Sequence, residues 1–189
     1  MYSHDNGEVW GLTEQEGMIL TSGDDNKVMM WNPESRTMEK TWEVSSRRAK
    51  AKRGGASTMS RLPDSQCSRS IAGNDSWFAV AGNDGKVSIR AARDPTELHL
   101  LGDSTEWIEV MSFSPDGKYL AVGSHDNHVY VYTTSDWKLH GKCRGHSSYI
   151  MALDWCAESK IIRSNCGAYE LLFFVAETCD QDPSGRSNY

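Results

Sequence analysis

The chain has 189 residues, of which 38% are hydrophobic and 24% charged, a balance that fits a folded globular domain and excludes an obligately disordered or collagen-like one. No apolar run approaches the 18 residues of a membrane-crossing helix, and the first residues carry neither a basic nor an apolar leader segment, so a cytoplasmic protein with no membrane partner is expected. The net charge of -6 is unevenly spread: residues 45–65 hold six cations against Asp64 alone, a local charge of +5, which leaves the remainder at -11. The five cysteines are odd in number and form no C-x-x-C pair, which argues against a disulfide framework or a zinc knuckle.

In chain order, β-branched and aromatic runs bounded by turn chemistry predict strands at 9–12, 18–22, 28–31 and 38–42. The basic stretch RRAKAKRGGASTMSRLPDSQ follows, too rich in Gly, Ser and cations to bury a core, and is expected as a flexible insertion over 45–65. A weaker unit opens with a short strand at 68–72. The third unit is the clearest: strands at 108–113, 119–123, 129–132 and 138–143, with Ser114-Pro115-Asp116-Gly117 as a turn. The fourth has strands at 150–155, 160–164 and 171–174, and 180–189 reads as a truncated, turn-rich tail. No amphipathic helix of ten residues competes.

The units repeat. TSGDDNKVMMW (21–31), VAGNDGKVSIR (80–90), VGSHDNHVYVY (122–132) and SNCGAYELLFF (164–174) align, and their turn positions Asp25, Asp84, Asp126 and Ala168 are spaced 59, 42 and 42 residues apart. A period of about 40 to 45 with several strands per unit is the mark of a β-propeller, and the basic stretch accounts for the long first interval. A β-sandwich would use similar strands, but the matched turns at constant spacing favour all-β propeller blades at about 4–43, 66–102, 104–144 and 146–179. Four such blades in an open arc leave two apolar flanks wet, so a larger propeller, seven-bladed or tandem, is expected, with this sequence part of a longer chain or completed by another subunit.

In the first unit His4, Thr21, Asp25 and Trp31 can form a hydrogen-bond relay, indole to hydroxyl to imidazole to carboxylate, in which every buried polar group is satisfied. Here the sequence resembles the WD-repeat family. The other units depart from the pattern: Arg90 ends the third strand of unit two, Ser104 takes the His position in unit three, and unit four keeps His146 and Ser164 but has Ala168 and Phe174, so its His is expected to lack a carboxylate. A hydrolase triad of His4, Thr21 and Asp25 would need a cleft and an oxyanion hole that no motif supplies. His125-x-x-His128 has no third ligand nearby, and Gly82-Asn83-Asp84-Gly85-Lys86 lacks the spacing of a phosphate loop. No enzyme, metal or cofactor is therefore expected. The tryptophans and tyrosines read as core and blade-interface residues.

Residues 120–130 (LAVGSHDNHVY), Gly145-His146-Ser147-Ser148-Tyr149-Ile150, Leu153-Asp154-Trp155 and the stretch from Ser164 to Glu170 are similar to a narrower group, the echinoderm microtubule-associated protein-like family. The resemblance implies a non-catalytic interaction module of a microtubule-associated protein, acting in the cytoplasm on the microtubule cytoskeleton, with tubulin or other cytoskeletal proteins as partners. The cations Arg47, Arg48, Lys50, Lys52 and Arg53 would then suit acidic tubulin tails, the other reading being a solvated loop. The alternative function is a general WD-repeat scaffold in a signalling or ubiquitin-ligase complex. An acidic body would repel nucleic acid.

Overall fold

The computed structural model describes residues 4, 7–44, 68–92, 94 and 96–185; the basic stretch with Arg47, Arg48, Lys50, Lys52 and Arg53 lies outside them. All fifteen elements of the described residues are strands, in four antiparallel sheets. The first is β1 (Val9–Gln15), β2 (Met18–Gly23), β3 (Lys27–Asn32) and β4 (Thr37–Glu43); the second is β5 (Ser68–Gly73), β6 (Trp77–Gly82), β7 (Val87–Ala91) and β8 (Glu97–Leu101). The third is β9 (Ile108–Phe113), β10 (Tyr119–Ser124), β11 (Val129–Thr133) and β12 (Leu139–Cys143); the last has three strands, β13 (Ile150–Trp155), β14 (Ile161–Cys166) and β15 (Leu171–Val175). Strand order follows chain order in every sheet, and the first strands β1, β5, β9 and β13 lie side by side, so the sheets are blades fanned about their innermost strands.

The two-residue period of a strand explains the stacking. On β6, Phe78 and Val80 enter one apolar cluster with Leu20, Val28, Met30 and Ile71 of blades one and two, while Ala79 and Ala81 enter the next with Ile108, Leu120 and Tyr130. On β11, Tyr130 and Tyr132 face blade two, and Val129 and Val131 face blade four beside Ile150, Ile162 and Phe174. Each middle blade is thus buried on both faces, and three clusters form three seams. Small residues allow the approach: a Cβ on Gly123 would lie 2.7 Å from Ile150 Cγ2.

The strands run slightly past their expected ends. β1 continues to Gln15, whose buried amide donates to Asn74 O (2.7 Å) and Trp77 O (2.9 Å) and ties blade one to blade two. The start of the expected tail is ordered against β15: Val175 N–H donates to Asp180 O (2.9 Å), Asp182 N–H to Phe173 O (2.7 Å), and Gln181 bridges Phe174.

The four matched joints between second and third strands share one backbone design. Asn26 (φ 58°), Gly85 (φ 74°), Asn127 (φ 70°) and Tyr169 (φ 62°) hold the same left-handed position. One residue earlier, the carboxylates of Asp25, Asp84 and Asp126 accept the N–H groups of Lys27 (3.1 Å), Lys86 (3.1 Å) and His128 (3.2 Å), an Asx turn that Ala168 cannot make. At Gly85 a Cβ would also meet Ser104 O at 2.6 Å. Gly85→Ala should therefore destabilise the protein by about 1–3 kcal/mol in urea unfolding, whereas Tyr169→Gly, at a 98% exposed side chain, should stay within about 1 kcal/mol of the parent.

Candidate functional site

The four residues singled out in blade one are brought together. Trp31 Nε1–H donates to Thr21 Oγ1 (2.9 Å), Thr21 Oγ1 lies 2.9 Å from His4 Nε2, and His4 Nδ1 lies 2.8 Å from Asp25 Oδ1. A carboxylate only accepts, so Nδ1 carries the proton and Nε2 accepts the Thr21 hydroxyl. The relay runs in one direction and joins the approach to β1 with β2, β3 and their joint.

The other blades solve the same problem with different residues. In blade two, buried Arg90 lies 4.0 Å from Glu97 Oε2, which also accepts the Ser88 hydroxyl (2.8 Å); burial lowers the Arg90 pKa and Glu97 opposes that shift. In blade three Ser104 Oγ lies 2.7 Å from Ser124 Oγ, and Asp126 accepts Tyr130 Oη–H (2.5 Å) and His128 Nδ1–H (3.2 Å). Burial alone would raise the Asp126 pKa, but the bonds from Tyr130 and His128 outweigh it and hold the pKa low. His125 and His128 serve separate partners, since His125 Nε2–H donates to Glu109 Oε2 (3.1 Å).

Blade four corrects an expectation. His146 Nε2 lies 2.7 Å from Ser164 Oγ, and its Nδ1 does face a carboxylate: Glu170, two residues beyond Ala168, places Oε2 at 3.5 Å. Glu170 accepts Ser147 N–H (2.8 Å), Ser147 Oγ–H (2.8 Å) and Cys166 Sγ–H (3.1 Å), and the backbone bond from Ser147 leads the contacts that hold its carboxyl down at about 2. Burial lowers the His146 pKa, with Glu170 opposing.

A second constellation was not legible. Each innermost pairing carries a register shift near the start of the innermost strand, and the residues skipped are Trp10, Arg69, Glu109 and Met151. Such bulges re-aim side chains, and here they contribute to a row across all four blades. The Arg69 guanidinium lies 4.6 Å from the Trp10 ring and 4.2 Å from the Trp107 ring; Trp107 meets His125 at 5.3 Å, and His125 meets Tyr149 at 4.7 Å. Glu109 Oε2 sits 3.8 Å from Arg69 Nη1, Arg69 Nε–H donates to Asn83 (2.7 Å), and Trp10 Nε1–H donates to Asp24 (2.7 Å). Trp10 and Tyr149 are 42% and 40% exposed, so the row offers an amphipathic surface with fixed rings and paired charges. Trp10 and Tyr149 thus each lie against a side chain of the neighbouring blade while remaining partly exposed.

A family profile described as the echinoderm microtubule-associated protein second beta-propeller matches residues 9–188. The chain belongs to this family. It is 44% identical over its whole length to the ciliary WD repeat-containing protein ctxp80 of Euplotoides octocarinatus, and covers 27% of that protein. It is 34% identical, over 92% of the chain, to the 77 kDa echinoderm microtubule-associated protein of Lytechinus variegatus, and 36% identical over the same share to echinoderm microtubule-associated protein-like 2 of Rattus norvegicus, covering 24% and 25% of them. The chain therefore spans about a quarter of the length of these curated relatives.

Within this echinoderm microtubule-associated protein propeller, where the resemblance leads one to expect Asp and Trp, Ala168 and Phe174 stand; Phe174 is fully buried, its ring 6.1 Å from the His146 ring. Asp25→Ala removes the acceptor 2.8 Å from His4 Nδ1, and a loss of about 1–3 kcal/mol in unfolding free energy is expected. Asp84→Ala, which removes an exposed bond to one backbone N–H, should cost about 1 kcal/mol or less by the same measurement.

Proposed function

We propose that the chain is a non-catalytic protein-interaction module of a microtubule-associated protein, acting in the cytoplasm on the microtubule cytoskeleton, with tubulin and other proteins rather than nucleic acid or membrane as partners. The observation that carries this reading is the family match over residues 9–188, together with relatives whose names are microtubule-associated. An arc of blades supplies a rigid frame, and recognition falls to its loops and its end face.

Charge distribution supports a division of labour. A body at -11 is repelled by acidic tubulin tails, so the electrostatic contact falls to Arg47, Arg48, Lys50, Lys52 and Arg53 in the segment of local charge +5. Further blades, from the longer protein or another subunit, would complete the propeller. The outward residues support this: Gly11 faces into the seam with blade two, so strand alternation turns its neighbour Leu12, 71% exposed, away from the stack.

A second reading, a scaffold of a signalling or ubiquitin-ligase type that binds a peptide across one face, is favoured by the bulge-delivered row from Trp10 to Tyr149. Microtubule co-sedimentation separates the two. If the cations make the contact, binding falls as ionic strength rises from about 0.01 to 0.15 M and the screening length shrinks from about 30 to 8 Å. Changing Arg47, Arg48, Lys50, Lys52 and Arg53 to Gln should then abolish the salt-dependent part. Co-sedimentation untouched by those changes removes the tubulin-tail contact; peptide binding lost on Arg69→Ala favours the scaffold.

A further inference from the structure

The fourth blade joint has exchanged more than its Asp. At the aligned position of Cys166 the other units have Gly23, Gly82 and Ser124, and at that of Glu170 they have Lys27, Lys86 and His128. The unit that loses the turn carboxylate thus gains a thiol and a new carboxylate, both beside the retained imidazole. The three ligand atoms, an imidazole nitrogen, Cys166 Sγ and a Glu170 oxygen, lie within 4.8 Å of one another, with Sγ to Oε2 at 3.1 Å and Nδ1 to Oε2 at 3.5 Å. Metal–ligand bonds of about 2.0–2.3 Å in a tetrahedron set ligand atoms roughly 3.3–3.8 Å apart, so the cluster needs only small adjustment to surround one ion.

A second observation points the same way. His146 is 8% exposed, and its Nδ1, 3.5 Å from Glu170 Oε2, makes no hydrogen bond of ordinary geometry, although the equivalent His4 nitrogen is 2.8 Å from its carboxylate. Ser164 at 2.7 Å can accept from Nε2–H, the outer-sphere bond that fixes the ring of a metal-bound histidine and leaves the Nδ1 lone pair aimed at Glu170. Without an ion Nδ1 would carry its proton toward Glu170, as His4 does toward Asp25, and a cation between the two takes the place of that proton.

We propose that His146 Nδ1, Cys166 Sγ and Glu170 bind one thiophilic divalent cation, Zn²⁺ by ligand set, with water as the fourth ligand. On binding, the thiol proton passes to solvent, the sulfur–metal bond forms, and no redox step is involved. The ion clamps the segment before β13 to the β14–β15 joint, replacing the link that Asp25 supplies in blade one. This inference is independent of the microtubule reading.

Cobalt titration of the whole chain tests it. One equivalent of Co²⁺ should give a thiolate-to-cobalt charge-transfer band that Zn²⁺ displaces, and Zn²⁺ should raise the melting temperature. Cys166→Ser should abolish the band. Glu170→Gln, at a partly exposed side chain, should weaken binding about tenfold or more while the chain stays folded. No band from the folded parent, or a band that survives Cys166→Ser, overturns the proposal.

Discussion

The structure depends on a single packing constraint: each middle blade must bury both of its faces, one against each neighbour. Period-two alternation makes this possible only when successive side chains are both apolar, which is why β10 and β11 read as near-continuous apolar runs rather than alternating ones. Outer strands have no such obligation. β4 has no buried side chain, and β8 and β12 are mostly exposed or half-buried. The contrast between buried middle strands and wet outer ones recurs in the first three blades and orients them alike.

Much of the polar chemistry gathers at the joints, where it is structural. The turn carboxylates pin the backbone of three joints, and the His4 relay closes one blade internally. The bulges at the heads of the innermost strands have a different effect. They displace one residue per blade out of the ladder, and three of these residues, Trp10, Arg69 and Glu109, build the row with Trp107, His125 and Tyr149. A frame that repeats its joints repeats its bulges, so a surface spanning four blades arises from residues scattered over 140 positions of sequence.

Strand positions and the repeat were legible because they rest on local signals: β-branched runs, Asn or Gly at left-handed turns, Asp one residue before them. The His4–Thr21–Asp25–Trp31 bonds were legible because the residue types match a relay whose donors and acceptors balance. The register shifts were not, since a bulge changes pairing without changing composition. Glu170 was missed for a related reason. Its alignment column holds Lys or His in the other units, so nothing in the repeat marks it as the carboxylate that faces His146. Arg69 offers no signal in a line of sequence, because its partners Trp10 and Trp107 lie on neighbouring blades.

Native-state hydrogen exchange tests the central claim, that the fold is held by seams between blades. Slowest exchange is expected in β6, β7, β10 and β11, whose sheets are covered on both faces, with weaker protection in β3 and β14 of the flanking sheets despite equivalent backbone bonding. Equal protection of equivalent strands across all four sheets would contradict the account, because stability would then reside in each sheet alone.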